Sequence, residues 1–275
     1  KVTGHVLVWH SQTAPWMFKN KYGELPNREE MIKRMRDYIH TVVGRYKGRV
    51  LGWDVANECI LDDGTWRQSP WYRAIGPDYI KLAFQFAHEA DPGAELYYND
   101  YSMSQPRKVQ AVVRLVKELK EAGCRIDAVG MQSHNGVDYP NLPDYENSMK
   151  ALIAAGVKIN ISELDLNMLP NPKSFGGADI NQKYANDPKM NPYPKKLTKE
   201  AATTFTRRYL DFFKLYYKYR HNIERVCTWG VSDGDSWLND WPIKGRTNYG
   251  LLFDRKFQPK PVVKDIIKLF ADEEK

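Results

Sequence analysis

The chain has 275 residues, 42% of them hydrophobic, which is enough to bury a large core in one or two domains. No apolar run reaches the roughly eighteen residues of a membrane span, and the N-terminal stretch "KVTGHVLVWH" lacks the pattern of a secretory signal. The net charge of +7 is spread over 41 basic and 34 acidic residues rather than gathered in one block, so we expect no membrane span and no nucleic-acid partner.

One organisation recurs along the chain: a short apolar run ends in polar or aromatic residues, and a loop and a helical pattern follow. Each apolar run predicts a buried strand. The six predicted strands are "GHVLVWH" (4–10), "VLGWDVANE" (50–58), "AELYYND" (94–100), "IDAVGMQSH" (126–134), "VKINISELD" (157–165) and "RVCTWGVSD" (225–233).

Helical patterns lie between these runs. Asn27 and Glu30 have the spacing of a capping box, Pro106 opens a second helix that Gly123 ends, and further helices are predicted at about 200–220 and 260–271. The residues predicted to face the core are Met31, Met35, Ile39 and Val42 in the first helix, Val109, Val112, Val113, Val116 and Leu119 in the second, and Phe205, Leu210, Phe213 and Tyr217 in the third.

Strands that alternate with helices predict right-handed βαβ units and a parallel sheet. The glycine-rich phosphate turn of a doubly wound nucleotide-binding sheet is missing after the first strand. Nearly every predicted strand instead carries its polar cluster at its C-terminal end, where a (β/α) barrel builds its active site. The sequence therefore predicts an α/β fold of the TIM-type barrel.

Two predicted strands end in glutamate, Glu58 in "DVANE" and Glu163 in "ISELD". Paired carboxylates across a cleft suit glycoside hydrolysis, in which one protonates the leaving oxygen and the other attacks the anomeric carbon or activates water. Each could instead be a salt-bridge partner at the rim of a barrel. Trp9 and Trp237 stand in polar loop context, where stacking on a sugar is favoured over core packing, and this pattern favours the catalytic interpretation.

A metal site or another cofactor is not expected. His10 and His134 could be buried structural histidines or ligands, but no His-x-His pair marks the first strand. The three cysteines are far apart in the sequence and odd in number, which argues against a disulfide framework and against a zinc site.

Six strings in this order, "LVWHSQ", "WDVANE", "LYYNDY", "VGMQSH", "ISELD" and "WGVSDGDSW", closely resemble the glycoside hydrolase family 10 endo-β-1,4-xylanases over essentially the whole chain. The resemblance implies that residues 1–275 form a catalytic TIM-type (β/α)8 barrel, with a long loop at 167–196 after the nucleophile strand. Because "LVWHSQ" lies on the third strand in the family, we expect strands three to eight here, about six βα units. The parent protein would then carry the first barrel segment upstream, with an inserted carbohydrate-binding module as one arrangement.

The resemblance also implies roles for individual residues. Glu58 is the general acid/base, with a pKa raised by burial and by a neighbouring carboxylate, and Glu163 is the nucleophile of a retaining mechanism. Asn57 binds the 2-hydroxyl of the cleaved sugar, and His134, held by Asp165, orients the nucleophile. The implied sugar-binding residues are His10, Gln132 and Trp229 around that sugar, Trp9 and Trp237 as flanking platforms, and Asn99 and Tyr101 on the leaving-group side.

The expected function is endo-hydrolysis of β-1,4-xylosidic bonds in xylan or xylo-oligosaccharides. Since a polymer cannot enter a cell, we expect an extracellular or cell-surface enzyme. Two alternatives stay open: a β-1,4-glucanase of the same barrel type, and a non-catalytic fragment that binds xylan or complements an N-terminal piece.

Overall fold

The computed structural model describes residues 1–271, which form two compact units. Unit 1 comprises residues 1–131 and 148–159, and unit 2 comprises residues 132–147 and those from 160 onward. The strands are β1 (Thr3–Trp9), β2 (Gly52–Asn57), β3 (Glu95–Asp100), β4 (Ala128–Met131), β5 (His134–Gly136), β6 (Lys158–Asn167) and β7 (Ile223–Thr228). The helices are α1 (Arg28–Arg45), α2 (Pro70–Ile75), α3 (Tyr79–Ala90), α4 (Pro106–Glu121), α5 (Leu142–Ala154), α6 (Lys199–Lys218) and α7 (Pro261–Ala271), and short 3-10 helices lie at Pro15–Phe18, Pro188–Met190 and Trp237–Asn239.

Unit 1 is built on a parallel sheet in the order β1-β2-β3-β4. Every residue of β2 is buried, as expected for a parallel strand covered on both faces. The register pairs Trp9 with Asn57 and Asn57 with Asn99 at the C-terminal ends of the first three strands. This register gathers polar and aromatic side chains at one edge of the sheet, as the sequence predicts.

The first helix of unit 1 begins as predicted. The side chain of Asn27 accepts a hydrogen bond from the backbone N–H of Glu30 at 2.9 Å. The predicted core residue Val42 is partly exposed, and Val43 is fully buried in its place, so that one assignment was wrong by one position. Positions 39 and 43 are four residues apart and share a helix face. The other predicted residues of this face, Met31, Met35 and Ile39, are fully buried.

Unit 2 contains β5 and β7, both of which pair with β6. β5 runs parallel to β6 and places His134 opposite Asp165. The predicted strand at 126–134 is therefore interrupted: β4 ends at Met131 and β5 begins at His134. The physical cause is Ser133, whose φ of 64° lies in the left-handed region and breaks the extended backbone.

The aromatic helix α6 begins at an N-cap, Thr198, whose side chain accepts from the N–H of Ala201 at 3.2 Å. Its predicted inner face is partly wrong, because Leu210 and Tyr217 are half-buried. Two tyrosines on neighbouring positions are buried instead, since each hydroxyl finds a partner there. The core residues of this helix are Ala201, Phe205, Arg208, Tyr209, Phe212, Phe213 and Tyr216.

The sequence did not resolve α2, α3 and α5 as separate helices. The predicted long loop follows β6 and contains the short 3-10 helix Pro188–Met190 before α6 begins. Within residues 1–271, none of the helices combines the length and the apolar character needed to cross a membrane.

Candidate active site

Glu58 lies just after the C-terminal end of β2 in unit 1 and is only 5% exposed. Its backbone N–H donates to the carbonyl of Asn99 at 3.0 Å, continuing the pairing of β2 with β3 for one more residue. Its φ is 56°, a left-handed conformation that is uncommon for a residue other than glycine. Such backbone strain is concentrated at functional sites, where surrounding contacts hold it in place.

Three side chains surround the Glu58 carboxyl group. The indole Nε1–H of Trp9 donates to Oε2 at 2.9 Å, the amide Nδ2 of Asn57 donates to Oε1 at 3.2 Å, and Nδ1 of His10 lies 3.8 Å from Oε2. Asn99 donates through Nδ2 to Oδ1 of Asn57 at 2.9 Å. Because this bond occupies the amide oxygen of Asn57, it turns the nitrogen of that amide toward the carboxyl group.

The two residues predicted for the leaving-group side are buried. Asn99 contacts Asn57, as described, and the hydroxyl of Tyr101 accepts from Nη2 of Arg67 at 2.7 Å. Arg67 also donates through Nε to the carbonyl of Glu58 at 2.8 Å. Sequence reasoning missed Arg67, whose only signal is its position in the polar loop after the strand that ends at Glu58.

Glu163 lies on β6 in unit 2 and is also 5% exposed. Nε2 of His134 is 3.1 Å from its Oε2, and Nδ1 of the same ring is 3.0 Å from Oδ1 of Asp165. The other oxygen of Asp165 accepts from the indole N–H of Trp237 at 2.7 Å. Alternation along β6 puts Glu163 and Asp165 on the same face, and the parallel partner β5 supplies the ring between them. The backbone N–H of Glu163 donates to the carbonyl of Gln132 at 3.0 Å.

The contacts of His134 determine its charge. Burial by itself lowers the pKa of the ring, but the carboxylates of Asp165 and Glu163 outweigh burial and raise the pKa to about 10. The ring is therefore an imidazolium at neutral pH, and both nitrogens donate. Its Nε2–H gives Glu163 a charge-assisted hydrogen bond that fixes the position of the carboxylate.

Aromatic rings lie beside this cluster. Trp237 is half-buried and stacks on Trp241, with ring centroids 4.2 Å apart and planes 17° from parallel. Its ring is also 4.8 Å from that of His134. Trp229 lies 6.4 Å from the His134 ring and is 38% exposed. Trp241 was not predicted, although it ends the string "WLNDW" that begins at Trp237.

The fold and these two clusters define a class of protein. Parallel strands alternate with helices, and each unit holds a buried glutamate, Glu58 just after β2 and Glu163 on β6, in a cluster of side chains that includes an indole N–H donor. Within residues 1–271, no group of three or more histidine, cysteine, aspartate or glutamate side chains is arranged to hold a metal ion. Carboxyl groups and aromatic rings near the C-terminal ends of parallel strands are typical of a glycoside hydrolase of the (β/α)-barrel type.

Comparison with known proteins identifies the family: residues 1–269 match glycosyl hydrolase family 10, and the chain belongs to it. The chain is 66% identical over 269 residues to endo-1,4-beta-xylanase A of Xylanibacter ruminicola, covering 98% of this chain and 73% of that protein. The predicted family is thereby confirmed.

Solved structures agree with this assignment. A family 10 endoxylanase retrieved from a sugarcane soil metagenome superposes with a TM-score of 0.94 at 45% identity, covering 97% of this chain and 77% of that one. An intracellular xylanase of Thermoanaerobacterium saccharolyticum, in complex with xylotriose, matches with a TM-score of 0.81 at 34% identity, covering 97% and 75%. The predicted TIM-type barrel fold is confirmed by these matches, and the chain spans about three quarters of the length of these relatives.

Proposed function

We propose that this protein is an endo-1,4-β-xylanase that hydrolyses xylan and xylo-oligosaccharides by a retaining double displacement. The relatives named above are xylanases, and one of them holds xylotriose. The observation that carries the chemistry is the chain of contacts from Trp237 through Asp165 and His134 to Glu163. It supplies a buried carboxylate whose position is fixed by a charge-assisted hydrogen bond from His134, which is what a nucleophile requires.

In the first step, an oxygen of Glu163 attacks the anomeric carbon. The bond from that carbon to the glycosidic oxygen breaks, and the proton of the Glu58 carboxylic acid passes to the departing oxygen. The positive charge of His134 is held by Asp165 and Glu163 before the attack, and Asp165 remains its carboxylate partner once Glu163 is an ester. The product is a glycosyl ester of Glu163 and a shortened chain with a free hydroxyl.

In the second step, Glu58 is a carboxylate and accepts a proton from water. The resulting hydroxide attacks the anomeric carbon, the ester bond breaks, and Glu163 leaves as a carboxylate. The donors from Trp9 and Asn57 stabilise the ionised form of Glu58 that this step uses. Two inversions return the anomeric centre to its original configuration.

The remaining predicted residues support binding in this proposal. Asn57 donates to the 2-hydroxyl of the cleaved sugar, a contact that strengthens in the transition state. Asn99 acts through Asn57, and Tyr101 acts through Arg67, because both side chains are buried. Besides Asn57, the residues proposed to contact sugar directly are Trp9, His10, Gln132, Trp229 and Trp237.

The test is release of reducing ends from xylan, cellulose and mixed-linkage glucan by the wild type, Glu163→Ala and, as a matched control, the exposed Glu118→Ala. We expect xylan to be the best substrate, with activity lost only in Glu163→Ala. A first-formed β-anomer in a time-resolved NMR spectrum supports retention, whereas an α-anomer overturns the double displacement.

Two outcomes would favour the alternatives. Faster hydrolysis of cellulose or mixed-linkage glucan than of xylan would make the protein a glucanase, since the site must then accept the hydroxymethyl group of glucose. Binding of xylan without hydrolysis by the folded wild type would make the chain a binding or complementing fragment.

We propose an extracellular or cell-surface location, because a polymeric substrate stays outside the cell. The intracellular xylanase among the relatives shows that the family also works inside cells. Immunoblotting of the medium, cell-surface and cytosolic fractions of the source cells distinguishes the two, and signal confined to the cytosol would overturn the proposal.

A further inference from the structure

We propose that the buried ion pair of Lys108 and Asp100 positions Glu58 for catalysis by fixing Tyr98, whose hydroxyl accepts from the peptide group after Glu58, and Tyr101, whose hydroxyl accepts from the Arg67 side chain that holds the same group. This inference rests on the acid/base role proposed for Glu58 and deepens it. Neither member of the pair contacts the carboxyl group of Glu58, so both are positioning residues.

The peptide group between Glu58 and Cys59 is held at both ends. Its carbonyl oxygen accepts from Nε of Arg67 at 2.8 Å, and its N–H donates to the hydroxyl of Tyr98 at 3.1 Å. The orientation of this peptide group sets ψ of Glu58, while the bond from the Glu58 N–H to the carbonyl of Asn99 fixes the peptide group before it. The left-handed conformation of Glu58 is thus imposed from both sides, and it aims the carboxyl group.

The contacts of this peptide group with Tyr98 and Arg67 both depend on residues that bind Asp100. The Tyr98 hydroxyl donates to Oδ2 of Asp100, and a carboxylate can only accept, so the direction of this hydroxyl proton is fixed. The oxygen of Tyr98 is then available to accept from Cys59. On the other side, Arg67 donates to the Tyr101 hydroxyl, and the backbone N–H of Tyr101 donates to Oδ1 of Asp100 at 2.9 Å.

Lys108 opposes protonation of the buried Asp100 carboxylate. Its Nζ lies 2.8 Å from Oδ1 of Asp100, 3.1 Å from Oδ1 of Asp62 and 3.8 Å from the centre of the Tyr101 ring. Lys108 and Asp100 are both 0% exposed. Burial raises the pKa of Asp100, and the ammonium of Lys108 opposes that rise. Without Lys108, the largest contributions that oppose burial are lost, which favours a protonated Asp100 that can donate and lets the Tyr98 hydroxyl reverse.

The nature of the pair also favours a positioning role over a stabilising one. Replacing a buried ion pair by apolar residues of similar volume is often neutral or stabilising, so such a pair is weak support for stability. What an apolar pair cannot supply is an acceptor-only group between Tyr98 and Tyr101. That property sets the direction of the Tyr98 hydroxyl and so leaves its oxygen free to accept from the Cys59 N–H.

The test uses Lys108→Met, which removes the charge, Lys108→Arg, which keeps it, and Lys117→Met as a control at an exposed position of the same helix. Each is assayed for kcat/KM on xylo-oligosaccharides, whose leaving group needs a proton, and on a dinitrophenyl xylobioside, whose leaving group does not. We expect Lys108→Met to lose about tenfold to a hundredfold on the oligosaccharide and less than about threefold on the dinitrophenyl substrate. We expect Lys108→Arg to regain most of that loss and Lys117→Met to match the wild type.

Tyr98→Phe removes only the hydroxyl and serves if Lys108→Met does not fold; we expect the same difference between substrates. Equal losses on both substrates, or no loss, in the folded variants overturn the positioning role. Glu58→Ala distinguishes failure of the positioning role from failure of the acid/base role proposed for Glu58. If it shows the substrate difference and the Lys108 and Tyr98 variants do not, only the positioning role fails; if it shows none, the acid/base assignment fails, and the positioning role falls with it.

Discussion

The charge of His134 makes the free energy of unfolding of this protein depend on pH, and raising the pH should show this dependence. The native ring has a pKa of about 10, against about 6.5 in an unfolded chain, so the native state binds the proton more tightly. The stabilisation is therefore present in full below about pH 6.5 and is lost as the pH rises toward 10. At about 1.4 kcal/mol per pKa unit, the free energy of unfolding should fall by roughly 3 to 5 kcal/mol over this interval.

The assay is denaturant unfolding of the wild type and of His134→Gln at several pH values between about 6 and 9.5. The buried tyrosines Tyr209 and Tyr216, whose pKa values burial raises well above the ordinary value, also lower stability near the upper limit. Subtracting the free energy of unfolding of His134→Gln from that of the wild type at each pH cancels the contribution of these tyrosines. The exposed His88→Gln is the matched control, and we expect its pH dependence to follow the wild type.

The result that would refute this reasoning is an equal dependence of stability on pH in the wild type and in His134→Gln. A direct measurement complements it: the imidazole ¹⁵N resonances of His134 should report a doubly protonated ring up to about pH 9. A neutral ring at pH 8 would show that the carboxylates of Asp165 and Glu163 do not outweigh burial.

Three substitutions test other contacts. A Cβ at Gly130 would lie 2.1 Å from Oδ1 of Asn99, so Gly130→Ala should displace that amide and lower kcat/KM on xylan about tenfold or more. The control is Gly44→Ala, whose Cβ would have no neighbouring atom within 4 Å, and its activity should be unchanged. Equal activities of the two variants would contradict this prediction. Trp237→Phe keeps an aromatic ring but removes the N–H that donates to Asp165 at 2.7 Å, and kcat should fall tenfold to a hundredfold with KM little altered. An unchanged kcat would contradict a role for this hydrogen bond in catalysis. Thr198→Ala removes the N-cap of α6 and should lower the free energy of unfolding by about 1 kcal/mol in a denaturant titration, with kcat unchanged.

Several features of this protein could be predicted from local sequence. The apolar runs located the predicted strands, although the run at 126–134 forms two strands, β4 and β5, and the polar residues toward the ends of the runs, including Glu58 and Glu163, marked the candidate site. The caps at Asn27 and Pro106 located the starts of two helices. These features depend on the spacing of hydrophobic residues and on the residues at helix ends. Both are determined by a few neighbouring positions in the sequence.

Other features depend on residues distant in the sequence, and only the tertiary structure decided them. Local pattern could not choose Tyr209 and Tyr216 over Leu210 and Tyr217 as core residues, because the choice depends on distant partners that form hydrogen bonds with the buried hydroxyls. A lysine on a helix is ordinarily a solvated side chain, and Lys108 becomes buried only because its Nζ meets Asp100 at the end of β3. The charge of His134 likewise arises only when β5 pairs with β6 and places the ring between two carboxylates. Long-range pairing brings such groups together, and their charge and burial follow from that proximity.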